Sequence, residues 1–462
     1  MRHTELKVII FGTGNYYRLS KKYIDMDQVT CFVDNDADKA GTFLDGKVIV
    51  TPEDADFQEC DYVLVLVMRY QDILKQLAGM GVAEDKIKLY PDLDDLFQVN
   101  MKIYSDNQTY DFKHWAEEQQ EKKVMLVCHE LTRNGVSVVL MHVARILKKM
   151  GYRPLMSALL EGELIEELRE NDIDYIPQMN MLYGGKLFAE LVWEMDFVIV
   201  GTIGIADVAR RIAHTDVPIV WWIHESNDKD FHDFPLVIRD NVHYYAGGKR
   251  VVECFIRHYS QIPIEKMLYC LPDNLAKKKS GDHVFRIGII GLIYLRKAQD
   301  IFVAAVKKIP DEKKTGTSFE IVGKYLEPVI DLDKVLRGNP EIKYVGEMSQ
   351  KELNDYFAGL DLLVCPSRDD PMPVVVTQAM QYGIPCIVSD QVGQSEYMID
   401  GENGFVFPSE DVEALKEKII YCIENKNNLK KIGAESRKIY ERYFSENAME
   451  ESLWKIVKRI GV

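Results

Sequence analysis

The feature that most constrains this chain is a recurring unit: a short, mainly apolar run stops at a glycine or a turn, and a stretch with helical apolar spacing follows. Lys7–Phe11 (KVIIF) runs into Gly12-Thr13-Gly14, and the run VMLVC begins after Lys123. Arg286–Gly291 (RIGIIG), Phe319–Val322 ahead of Gly323, and Leu362–Cys365 ahead of Pro366-Ser367 repeat the pattern. Strands alternating with helices argue for α/β units with parallel sheets.

Three such units follow one another, as a length of 462 residues suggests. The first, 1–95, has strands expected at Lys7–Phe11, Val29–Val33, Tyr62–Val67 and Ile87–Tyr90, with helices near Tyr17–Tyr23 and Tyr70–Met80. A polar and aromatic stretch, 96–121, that includes Ser105-Asp106-Asn107-Gln108 reads as a linker. The second unit, 122–275, turns at Arg133-Asn134-Gly135 into a helix carrying Val136, Val139, Leu140, Val143 and Leu147, which Gly151 ends. Its later strands are Phe197–Val200 and Pro218–Ile223. A break at Leu271-Pro272-Asp273-Asn274, ahead of Lys277–Lys279, separates it from the third unit, 276–442. A capping box of Ser349 and Glu352 starts one helix there. Residues 443–462 are expected as a final helix crossing back to the second unit. No short tandem repeat is present, which excludes a solenoid.

Net charge is −16, with 57 basic and 73 acidic residues, so nucleic acid is not an expected partner. The eight cysteines never approach zinc-knuckle or redox-pair spacing and sit mostly in apolar runs, the habit of reduced, buried thiols. Met1–Lys7 lacks a signal pattern, and no run nears the 18 or so apolar residues that span a bilayer. A cytoplasmic protein is expected, with any membrane contact peripheral.

Ligands of open α/β sheets bind beyond the carboxyl ends of the strands. There, Pro366–Met380 (PSRDDPMPVVVTQAM) leads from a strand into a helix. Pro373 suits its first turn, and the N–H groups from about Val374 and Val375 would present a diphosphate site. Asp370 precedes the turn, and Gln378 lies inside the helix on the ligand-facing edge. The second piece is Gly291–Lys297, where a glycine permits close approach and Arg296 and Lys297 would neutralise a departing diphosphate. Adjacent residues diverge, so one of the two is expected to reach it. An exposed lysine at a helix start would contribute little to stability.

With these elements in this order, from about Lys123 onward, the chain resembles the retaining glycosyltransferases of family 4. Further markers are Val345-Gly346-Glu347, Gln378-Ala379-Met380, Gly383-Ile384-Pro385 and Gly401-Glu402-Asn403-Gly404-Phe405. The resemblance implies a GT-B pair of facing Rossmann-like domains preceded by a smaller Rossmann-like α/β domain. It implies transfer of a sugar from a nucleotide-sugar donor to a glycan or lipid-linked acceptor, with no metal or other cofactor. Two glutamates seven residues apart are usual in the family, one on the donor sugar and one on the ribose; Asp370 and Gln378 stand there. Aspartate is one methylene shorter, and glutamine keeps a hydrogen bond while losing charge. A histidine at a strand end matches His224. Glu396 and Gly135 join the donor-binding candidates. A catalytically silent glycan- or nucleotide-binding homologue is the alternative.

Each candidate has a plainer reading. Arg296 and Lys297 fit a solvated turn, Asp370 a helix cap, His224 a satisfied strand end, Glu396 an exposed helix start, and His129-Glu130 with Arg133–Gly135 an ordinary loop. Asp34-Asn35-Asp36 and Asp331-Leu332-Asp333 resemble metal-binding triplets outside the setting such triplets need. Arg145, Lys148, Lys149 and Arg153 form a basic helix end that fits a solvated face or anionic lipid. The first unit resembles small Rossmann-like domains attached to bacterial polysaccharide enzymes. Gly12, Gly14 and Asp34 mark a possible nucleotide site, with Tyr17 where a dinucleotide fingerprint wants its third glycine. A nucleotide-sugar site, a sugar site and a plain scaffold all remain open.

Overall fold

A computed structural model describes residues 6–67, 70–97, 102–105, 108–117, 122–177, 186–233, 236–273, 284–325, 336 and 339–462. Asp106, Asn107, Asn274, Lys277–Lys279 and Asp331–Asp333 lie outside the described residues. The chain folds as two compact units, one of residues 1–221, 234–243 and 462, the other of 222–233 and 244–461.

The first unit opens with the strands β1 (Val8–Phe11), β2 (Val29–Val33), β3 (Phe43–Leu44), β4 (Lys47–Val50), β5 (Tyr62–Val65) and β6 (Ile87–Leu89), ordered β3-β4-β2-β1-β5-β6. All pairings are parallel except β3 with β4. Every residue of β1 is buried, as a run without a polar residue requires. The β3–β4 hairpin has no counterpart among the expected elements. Its turn is Asp45-Gly46, with φ of +48° and +79°, the pair of left-handed residues that a two-residue hairpin demands.

A second sheet in this unit contains β7 (Lys102–Ser105), β8 (Gln108–Asp111), β9 (Lys122–Glu130), β10 (Tyr152–Leu160), β11 (Asp174–Pro177), β12 (Phe197–Val200) and the start of β13 (Ile219–Ile223). β9 is central, paired in parallel with β10 and β12. The stretch read as a linker supplies the hairpin β7–β8, whose Tyr104 pairs with Tyr175 of β11 and stacks on its ring at 5.1 Å. Asn134 caps the helix Gly135–Lys149 by accepting from the Ser137 N–H at 2.9 Å, and Gly151 follows it at φ +92°.

In the second unit β14 (Val242–Ala246) pairs in parallel with β15 (Ile264–Lys266) from Tyr244 onward. A six-stranded sheet holds β16 (Phe285–Ile290), β17 (Thr317–Val322), β18 (Ile342–Gly346), β19 (Leu362–Cys365), β20 (Cys386–Ser389) and β21 (Phe405–Phe407), ordered β18-β17-β16-β19-β20-β21. All its pairings are parallel. Ser349 and Glu352 close the expected capping box on Gln350–Ala358. The last helix, Glu446–Ile460, follows Phe444, whose carbonyl accepts from the Leu271 N–H at 2.9 Å, and its Arg459 pairs with Glu265. Among the described residues no helix is long and apolar enough to cross a membrane.

The basic helix end is partly consumed by the fold. Lys148 donates to the Asn171 and Asp172 carbonyls at 3.0 and 2.8 Å, and the half-buried Arg153 pairs with Asp174 at 2.8 Å and lies over the Trp115 ring. Lys148 and Arg153 therefore serve internal contacts.

The ends of β16 and β17 meet through two glycines. Gly323 has φ +145°, and a Cβ there would lie 1.9 Å from the Gly291 carbonyl oxygen. Gly323→Ala should cost about 3 kcal/mol of stability, by strain plus clash. A urea melt against the parent chain measures it, and a change below about 0.5 kcal/mol would refute the packing argument.

Candidate functional site

All but four of the candidate residues lie in the second unit, around the loops that leave β16 and β19. After β16 the chain turns at Gly291, φ +145°, and passes through a short 3-10 turn, Leu295–Lys297, before Ala298 at φ +59° starts the helix Gln299–Lys307. The two cations sit on that turn and diverge as expected. Lys297 Nζ forms an ion pair with the Asp370 carboxylate, and the two side chains are only 17% and 8% exposed. Arg296 donates to the Tyr294 hydroxyl at 2.7 Å and to the Asp369 carbonyl at 3.2 Å. Burial opposes the Arg296 charge, but Asp370 and Tyr294 outweigh it and raise the guanidinium pKa. The solvated-turn reading therefore fails for Lys297: a carboxylate 73 residues away draws it out of water.

Asp370 is held from its other side too. Its N–H donates to Gln391 and its carbonyl accepts from the Gly393 N–H at 2.9 Å. A Cβ on Gly393 would sit 1.6 Å from the Pro371 carbonyl oxygen, so only glycine lets these loops close. Asp370 does not cap the next helix. Pro373 is the N-cap, one place earlier than expected, and the helix runs Val374–Gln381. Val376, Thr377, Ala379 and Met380 are buried, whereas Val374, Val375 and Gln378 are half-buried and share the outward face. The structure thus brings Gly291, Arg296, Lys297 and Asp370 together at two neighbouring loops, with Val374, Val375 and Gln378 on the helix that follows.

His224 follows the last residue of β13. Its ring lies 4.5 Å from the Trp222 ring, and a Cβ on Gly247 would meet its Nδ1 at 2.8 Å. The residue is half-buried, yet its Nε2 is sealed from solvent without a hydrogen-bond partner among the described residues. Burial lowers its pKa to about 4. Glu396 is engaged by Lys266. Gly135, in the first unit, is the first residue of its helix rather than a left-handed turn, because Asn134 already supplies the cap.

Several groups around Asp370 escaped the sequence reading. Arg250 donates to Asp369 at 2.9 Å and to Gln391, and the Ser226 hydroxyl donates to Asp369 at 3.4 Å. Gln394 Nε2 donates to the Pro373 carbonyl at 2.8 Å and to Thr377 at 3.0 Å, while the Tyr269 hydroxyl meets Thr377 at 2.7 Å. This buried network fixes the start of the Val374–Gln381 helix. The double glycine Gly247-Gly248 before Arg250 was a legible signal, since a Cβ on Gly248 would meet Pro371 and Met372.

The parallel sheets and the loops at their carboxyl ends define a GT-B protein of glycosyltransferase type. Residues 273–439 match the model of glycosyl transferases group 1, and residues 120–243 match glycosyl-transferase family 4. The chain belongs to the family 4 glycosyltransferases. Residues 4–88 match the N-terminal domain termed C2185-like. The chain is 27% identical over 164 residues to the sulfoquinovosyl transferase SQD2 of Arabidopsis thaliana, covering 35% of this chain and 30% of that one. To the capsular polysaccharide biosynthesis glycosyltransferase CapM of Staphylococcus aureus it is 25% identical over 173 residues, covering 37% and 44%. The matched stretch is thus less than half the length of either relative. Anabaena HepE in complex with UDP-glucose superposes with a TM-score of 0.63 at 17% identity, over 73% of this chain and 99% of that one, a likeness of fold.

Two measurements test this description. Lys297→Ala leaves Asp370 buried and unpaired, so it should cost about 2 kcal/mol of unfolding free energy; an exposed lysine would cost almost nothing. Denaturant titration decides. His224 has its pKa depressed from 6.5 to about 4, so the unfolded chain takes up that proton first. Its contribution is complete above the unfolded pKa and is lost as pH falls toward 4, by about 3 kcal/mol in total. His224→Asn should flatten the decline in stability between about pH 7 and about pH 5 by about 2 kcal/mol. Parallel declines in the two proteins would contradict the buried-ring geometry.

Proposed function

We propose that this chain is a retaining, metal-independent glycosyltransferase that moves a sugar from a nucleoside diphosphate donor to a carbohydrate or lipid-linked acceptor. Its setting is bacterial surface polysaccharide synthesis, in the cytoplasm or peripherally on the inner face of the membrane. The observation that carries the reading is the pairing of a half-buried cation with a buried carboxylate, Lys297 with Asp370, between a glycine turn and a helix N-terminus. Arg296 and Lys297 supply the positive charge on which a departing diphosphate's negative charge would develop, so the step asks for no divalent ion. Asp370 would accept from donor-sugar hydroxyls, and Gln378, half-buried on the same helix as Val374 and Val375, would reach the ribose. The match to CapM supports the polysaccharide setting, and the UDP-glucose complex of HepE supports a nucleotide-sugar donor. Retention follows the family resemblance, with leaving phosphate helping to deprotonate the acceptor.

A second reading, a silent binding homologue, is favoured by one observation: Asp370 and Lys297 neutralise each other. A panel of UDP-, GDP-, ADP- and CDP-sugars, scored by nucleotide release with and without EDTA, separates the two. The transferase should release nucleotide from at least one donor, unaffected by chelation, and lose about 100-fold in Arg296→Ala. Gln378→Glu should leave such an enzyme unchanged or weaker. Turnover that appears only in Gln378→Glu supports the silent homologue, and no release or binding with any donor removes the transferase reading.

A further inference from the structure

The first unit holds a cavity of about 330 Å³ at the carboxyl ends of β1, β2 and β5, lined among others by Gly12, Gly14, Asp34, Lys39, Val67 and Ile73. In the sheet order, β1 lies between β2 and β5, so the cavity opens where the chain reverses its direction of winding, the position at which open α/β sheets take ligands. The volume falls at the lower end of the roughly 300–1,000 Å³ of ligand pockets, room for one nucleotide and not two.

Its two glycines differ in what demands them. Gly12 has φ +108°, and a Cβ there would meet the Leu66 carbonyl oxygen at 2.9 Å and Val67 at 2.7 Å, so the fold itself requires glycine. Gly14 has φ −86°, open to any residue, and a Cβ there would meet nothing within 4 Å. Neither backbone nor packing explains Gly14, yet it lines the cavity, where a side chain would take up ligand space.

Asp34 supplies the polar end. One of its oxygens, Oδ2, is taken by the Thr13 N–H at 3.3 Å, the Thr13 hydroxyl and Lys39 Nζ at 3.0 Å, while Oδ1 accepts from the Asp36 N–H at 3.0 Å. Burial works against the charged form, but these donors prevail and hold the carboxyl below its ordinary pKa. An ionised oxygen with one donor keeps acceptor capacity for a hydroxyl. Leu66, Val67 and Ile73 give the opposite wall an apolar surface. Within the lining the one carboxylate, Asp34, is balanced by the one cation, Lys39, so the polar end offers an acceptor for hydroxyls without repelling a phosphate carried on the same ligand.

From this geometry we infer that the first unit binds one ribonucleotide, its ribose hydroxyls on Asp34, its base against Leu66, Val67 and Ile73, and its passage past the chain left open by Gly14. This site is separate from the donor loops of the second unit and does not depend on the transferase reading.

Hydrogen exchange of the full chain with the four 5′-ribonucleoside monophosphates, and with their 2′-deoxy counterparts, tests it. At least one ribonucleotide should slow exchange in 11–16 and 34–39, its deoxy form should bind about 10-fold more weakly, and Gly14→Val should abolish the protection without lowering the melting temperature. Protection confined to 291–297 and 370–378, or equal protection by ribo and deoxy forms, overturns the inference. So does undiminished binding by Gly14→Val. If that variant melts early, the ribo-to-deoxy comparison in the parent chain alone decides.

Discussion

Two loops from neighbouring strands meet at one ion pair, and the candidate site is built outward from it. Lys297 follows the end of β16 and Asp370 the end of β19, and their contact reinforces two turns that also share a backbone hydrogen bond from the Arg368 N–H to the Arg296 carbonyl at 2.8 Å. Both charges are largely out of water, which is costly unless each finds a partner and its remaining bonds are satisfied. The surrounding structure holds the two partners in place. The Asp370 backbone is clamped by Gln391 and Gly393, and Arg368 pairs with Asp300 and Glu410 beside it. Gly291, Gly323 and Gly393 are then consequences: each removes a side chain that would hold the loops apart.

Much of this was legible as pattern. The parallel strands stand out because they are predominantly apolar, and the capping box on Gln350–Ala358 because three-residue spacing survives translation into structure. Asp45-Gly46 is the sequence signal of the β3–β4 hairpin, but strands of two and four residues are too short to show a period beside it. Hairpin β7–β8 was hidden by composition, since its alternation of Lys102, Ile103, Tyr104 and Ser105 lies in a polar stretch and its partner, β11, is about 70 residues on.

The site divides the same way. Loop positions and residue types could be read locally, so Gly291, Arg296, Lys297, Asp370 and Gln378 were found from their neighbours. Partnerships could not. Nothing in the local spacing tells Lys297 that its counterion is Asp370, or Gln394 that it must satisfy the Pro373 carbonyl and Thr377. Those choices follow from burial, which obliges every polar group to find a partner wherever the chain provides one. The expectation that Lys297 is exposed failed for that reason; Pro373 stands one place outside the helix, as its N-cap.

The ion pair also bears on how a donor would have to bind. A phosphate taking Lys297 alone would strand Asp370, a buried carboxylate with its counterion withdrawn. A sugar taking Asp370 alone would leave Lys297 in the same position. Each exchange is unfavourable singly because desolvated charge is costly without a partner, and favourable jointly if sugar hydroxyls reach Asp370 as phosphate reaches Lys297. A ligand carrying both halves is then recognised more than additively, and a nucleoside diphosphate without its sugar forfeits part of that gain. The shortening from glutamate to aspartate at position 370 fits this arrangement. The shorter arm places the carboxylate on Lys297, so any sugar taken up at Asp370 would have to compete with that contact or form together with its replacement.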